Sequence, residues 1–65
     1  MRYYSFHRPI DIGTFPKPAG NKVLAIYNYD EPPTVEWDDR KPYGYIEYER
    51  PLDPKLADDY ELEVE

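Results

Sequence analysis

One serine and one histidine, Ser5 and His7, are the nearest this chain comes to a nucleophile with its base, since it has no cysteine. On a strand they would share a face about 6.5–7 Å apart, beyond reach of a direct hydrogen bond, and they read better as rim residues of an N-terminal strand. Carboxylates are plentiful, fourteen in all. Glycoside chemistry needs two of them bracketing a pocket, however, and 65 residues leave little volume for one. Asp39, Gly44 and Ile46 occupy the first, sixth and eighth positions of a calcium loop, but Lys41, Tyr43 and Arg50 stand at the third, fifth and twelfth. A cation in place of the bidentate glutamate excludes the motif. The expectation is a protein that is not an enzyme and takes no cofactor and no metal.

Charge is sorted along the chain. Residues 1–22 carry Arg2, Arg8, Lys17 and Lys22 against Asp11 alone, whereas residues 53–65 carry six acids against Lys55 alone, and the whole chain stands at −6. Such a field repels nucleic acid and attracts basic partners. Arg2, Tyr4, Phe6 and Arg8 have the residue types of a nucleic-acid contact, but four bases in the first twenty-two residues are few for phosphate binding. Direct nucleic-acid binding is therefore not expected, and packing plus counter-charge for the acidic C-terminal strand is the plainer role.

The chain is expected to be one small domain over residues 1–65, marginal in stability for its size and with no disulfide to help it. Eleven aromatics, eight of them tyrosine, and eight prolines are the compensating devices. No segment approaches the roughly 20 apolar residues of a membrane span, and the opening residues lack a signal-type apolar run, so a cytoplasmic protein with no membrane partner is expected.

Residues 2–7 read as a strand ended at Pro9, and the breakers in residues 8–22 as a long loop. The run Val23-Leu24-Ala25-Ile26-Tyr27-Asn28-Tyr29 is the most apolar and reads as a central strand buried on parts of both faces. A short strand over 34–37 is expected next. Residues 43–49 then alternate, with Ile46 and Tyr48 on one face and Tyr45, Glu47 and Glu49 on the other. Asp53-Pro54 signals a helix start, with Leu56 and Tyr60 on one side of a helix about two turns long. Residues 61–65 alternate again as a terminal strand. The fold class is α+β, a small antiparallel sheet of three or four strands with one short helix in the C-terminal half. The expected core is Tyr4, Phe6, Leu24, Ile26, Trp37, Ile46, Tyr48, Leu52, Leu56, Tyr60, Leu62 and Val64.

If the strands bearing Glu47 and Glu49 and bearing Glu61, Glu63 and Glu65 were neighbours, their carboxylates would share one surface beside Tyr43 and Tyr45. Like charges opposed in a sheet are destabilising, so that surface calls for a basic partner or for strands that are not adjacent. The partner-binding candidates are thus Asp38, Asp39, Tyr43, Tyr45, Glu47, Glu49, Asp58, Asp59, Glu61 and Glu63.

Tyr3-Tyr4-Ser5 with Arg8-Pro9, Gly13-Thr14-Phe15-Pro16, Tyr43-Gly44-Tyr45-Ile46-Glu47-Tyr48 and Asp59-Tyr60-Glu61-Leu62 carry a resemblance over most of the chain. The sequence resembles small acidic proteins carried on bacterial mobile genetic elements, a group with no established activity. The setting this implies is inhibition of a host defence or restriction nuclease by an acidic mimic of nucleic acid. One alternative is an accessory or regulatory module that assembles through a sheet edge or tyrosine patch, a homodimer being one such form; another is a weak nucleic-acid binder through Arg2, Tyr4, Phe6 and Arg8 of the N-terminal strand.

Overall fold

The computed structural model describes residues 1–34 and 39–64. Trp37 and Asp38, and with them most of the strand expected over 34–37, lie outside the described residues. Strands β1 (Arg2–Ser5), β2 (Val23–Asn28), β3 (Gly44–Tyr48) and β4 (Leu62–Val64) form one four-stranded sheet in the order β2-β3-β1-β4, and helix α1 (Pro54–Asp59) precedes β4. All pairings are antiparallel. The α+β class read from the sequence is the class observed.

Period-2 patterning decides which side chains go inward. In β3, Gly44, Ile46 and Tyr48 are buried while Tyr45 and Glu47 are half-buried on the opposite face. Tyr3 stands opposite Ile46 and Val64, so β1 contributes Tyr3 to the same inner side and Tyr4 to the other. The core joins Tyr3, Ile46, Tyr48 and Leu62 to Ile10, Phe15, Leu52 and Ala57, with Val23, Leu56 and Tyr60 packed against it. The breaker-rich stretch is therefore a covering layer as much as a loop. Its two turns place Gly13 (φ 87°) and Gly20 (φ 77°) at the third position, where a positive φ is required, and close with Thr14 N–H donating to Asp11 O and Asn21 N–H to Pro18 O.

One tyrosine hydroxyl pins that layer from below, and a second holds the segment that leads into the helix. Tyr48 Oη donates to the Pro16 carbonyl at 2.6 Å, and Tyr3 Oη accepts the Leu52 N–H at 2.7 Å. Burial pushes the Tyr48 phenol up to about 12. Two asparagines, Asn28 at the end of β2 and Asn21 just before it, act as clasps. Asn28 accepts the Ile10 N–H at 2.8 Å and donates to the Ile10 carbonyl at 2.9 Å, and Asn21 makes the same two-way bond with Arg50. Gly44 is required here, because a Cβ would collide with the Tyr27 carbonyl and lie 2.6 Å from Asn28 Oδ1.

The helix starts as its residues dictate: Asp53 accepts the Lys55 N–H at 2.9 Å and Pro54 takes the first helical position. It stops after six residues at Tyr60, and Glu61 turns the chain with φ 56°.

The central, doubly buried role expected for residues 23–29 is corrected. β2 is an edge strand, with Leu24 52% and Ile26 45% exposed, and both leave the core; Val64, at 45%, leaves it too. An apolar run signals a strand but not its rank in the sheet. The covering layer reaches Ile46, but Ile26 opposite it is half open to water. Tyr4 and Phe6 are buried as expected, yet they stand apart from the core cluster.

Candidate protein-binding face

The sheet face turned away from the core is built of tyrosine. Register places Tyr4, Tyr45 and Tyr27 abreast on β1, β3 and β2, and Tyr29 continues the row just beyond the strand. Ring centroids lie 6.0 Å apart for Tyr4–Tyr45, 5.7 Å for Tyr27–Tyr45, 5.2 Å for Tyr27–Tyr29 and 6.0 Å for Tyr29–Tyr45. These separations are those of favourable tilted and edge-on pairs. The Arg2 guanidinium sits 4.1 Å from the Tyr45 ring centre, and its hydrogen bond with Tyr4 raises its pKa above the ordinary value. Burial, reinforced by the neighbouring phenols, raises the Tyr29 pKa as well. Tyr27 is 49% exposed, so the row ends at a ring half open to solvent.

Arginines rim this row and take up carboxylates. Arg2 lies 3.9 Å from Glu47, Arg40 contacts Glu63 at 2.6 Å while stacking 4.4 Å from the Phe6 ring centre, and Arg8 pairs with Glu61, which also has His7 at 3.6 Å. The counter-charge expected for the acidic C-terminal segment is visible in Arg8 with Glu61, whereas Arg2 turns to Glu47 of β3. Ser5 is buried and its hydroxyl donates to the Arg8 carbonyl, closing the turn after β1.

The acidic candidates do not gather into one array. β1 lies between β3 and β4, so Glu47 and Glu63 share the outer face with Arg2 and Tyr4 between them. Strand order and arginine pairing together remove the like-charge conflict. Glu49 lies 3.9 Å from Arg50, and Asp59 pairs with Lys55 one helical turn away at 3.2 Å. Asp39 and Asp58 are exposed, and neither forms an ion pair among the described residues. Of the two aromatic candidates, Tyr45 is at the centre of the row. Tyr43 is 43% exposed and uses its backbone to join Ser5 and Tyr29. Sequence reasoning missed Arg2, Tyr4, Tyr27 and Tyr29 as members of this face. The period-2 spacing of Tyr27 and Tyr29 was the available signal, obscured by taking their strand as buried.

A cleft of about 260 Å³ between α1 and β4 is lined by Tyr3, Leu52, Pro54, Ala57, Leu62 and Val64, with Asp58 at its side. Among the described residues no three His, Cys, Asp or Glu side chains are grouped to hold a metal ion, and no helix is long and apolar enough to cross a membrane.

A four-stranded antiparallel sheet with a packed inner face and an aromatic, arginine-rimmed outer one is a small α+β scaffold with a surface available for contact. The family model described as "Defence against restriction A C-terminal" matches residues 1–64. The chain belongs to that family, and its role is thereby related to defence against restriction. No curated protein and no solved structure matches it.

Proposed function

We propose that this chain is a non-catalytic inhibitor in the cytoplasm, a binding domain that covers a basic surface of a restriction-system protein. The observation that carries this reading is the Tyr4–Tyr45–Tyr27–Tyr29 row under Arg2. Tyrosine and arginine are enriched among the residues that dominate protein–protein binding energy, tyrosine because its large ring leaves few rotors to freeze. The net charge of −6 steers the domain toward a basic partner and raises its on-rate.

A finer version, mimicry of nucleic acid by carboxylates, draws on Asp30, Glu31, Asp39 and Asp58, which form no ion pair among the described residues. Against it, Glu47, Glu61 and Glu63 each have an arginine beside them, so aromatic docking with electrostatic steering is the better-supported mode.

The test is a titration against the purified restriction enzyme over a salt series. Aromatic docking expects Tyr27→Ala to weaken binding about tenfold or more while salt mainly slows association. Steep salt dependence with indifference to Tyr27→Ala would favour mimicry, and no binding to any restriction-system component would refute both.

A further inference from the structure

We propose that β2 pairs with β2 of a second copy of this chain, antiparallel about a two-fold axis at Ile26, joining two sheets into one of eight strands. The two edges of the sheet differ in how they are guarded. β4 has three residues and carries Glu63, with Glu61 just before it, both held by arginine. β2 has six residues, none charged, and Leu24, Ile26 and Tyr27 are about half exposed. An edge that is long, apolar and uncharged is a template for another strand.

The backbone is oriented for it. Tyr29 N–H donates inward to Tyr43 O, so by strand alternation the N–H and C=O of Ile26 and Asn28 point away from β3. Asn28 meets Ile10 with its side chain, and among the described residues no hydrogen bond reaches the outward backbone groups of Ile26 and Asn28. Centring the axis on Ile26 sets Ile26 opposite its own copy and Ala25 opposite Tyr27. The register shift between Val23 and Ala25 begins just before the Ala25–Tyr27 pair and displaces residues 22–24 from the simple register.

Charge selects a second copy as the occupant. Two molecules at −6 repel over most approaches. Run antiparallel, however, the Lys22 end of each strand, beyond the register shift, lies toward the Asp30 end of the other, and neither residue has an ionic partner among the described residues of its own chain. An uncharged strand bracketed by a cation at one end and an anion at the other is self-complementary when run antiparallel, as a two-fold interface requires. Pairing also carries the outer row across the axis, Tyr27 of one copy beside Ala25 of the next, so two tyrosine faces merge into one.

Sedimentation velocity on the chain alone, from micromolar to about millimolar because a strand edge is a small interface, tests this. The mass should rise from monomer to dimer. Ile26→Lys, placing two ammonium groups at the axis on a half-exposed position, should abolish the rise with the circular dichroism unchanged. Lys22→Asp should weaken the dimer about tenfold, and adding Asp30→Lys should restore it. The last pair of variants decides the question even if Ile26→Lys fails to fold. A monomer at every concentration, or a dimer indifferent to these changes, overturns the proposal. Because no restriction protein is present, either result leaves the inhibitor reading to its own test.

Discussion

The two faces of the sheet are made from the same residue and put to opposite uses. On the inner face Tyr3 and Tyr48 meet edge-on with centroids 5.9 Å apart, and their hydroxyls are committed to the backbone of the covering segments. On the outer face Tyr4, Tyr27, Tyr29 and Tyr45 lean on one another and on Arg2. A tyrosine is a hydrophobic body with a polar handle, and what lies across from it decides which part matters. Where a proline-rich layer supplies carbonyls and N–H groups, the handle fastens the fold. Where the sheet turns to solvent, the rings pair with one another and with Arg2, and the half-exposed Tyr27 presents its ring to a partner.

The comparison breaks most sharply at the centre of the inner face. Tyr48→Ala removes a fully buried ring and should cost about 3–5 kcal/mol, enough to unfold much of a marginal domain of this size, as read by urea titration. Tyr27→Ala, by contrast, should shift the urea midpoint little, because the ring is half exposed, and should report instead in the binding titration.

Smaller is the alkaline effect. Tyr48 titrates at about 12 in the fold, above its unfolded value of about 10, so both states are protonated at neutral pH. As pH rises from about 10 to 12 the unfolded chain ionises first, and stability falls by an amount on the order of 2 kcal/mol. Tyr29, also raised by burial, acts with the same sign. Tyr48→Phe should flatten this loss while costing about 1–2 kcal/mol at neutral pH for the orphaned Pro16 carbonyl, which denaturation curves at two pH values resolve.

The smallest effect is at the rim. Glu61→Gly relieves a left-handed backbone worth about 1 kcal/mol but forfeits the exposed pair with Arg8, so the melting temperature should move by only a few degrees, upward.

Local signals were read where local physics decides. Asp53-Pro54 started the helix, and the alternation of residues 43–49 put Ile46 and Tyr48 inside and Tyr45 and Glu47 outside. Tyr3, not Tyr4, joins the core cluster, and two adjacent tyrosines of equal hydrophobicity give no cue to which of them faces it. Ile10 and Phe15 were hidden among prolines and glycines, where a covering segment looks like any loop.

By themselves, then, the residues determined strand and helix positions, the α+β class and the acidic charge, because caps, prolines and period-2 alternation act over a few neighbours. Tertiary structure alone decided that β1 separates β3 from β4, that the most apolar strand lies at an edge, and that arginines from Arg2 to Arg40 reach distant glutamates. Those outcomes rest on which strands pair, a choice between surfaces far apart in the chain that no short window of sequence records.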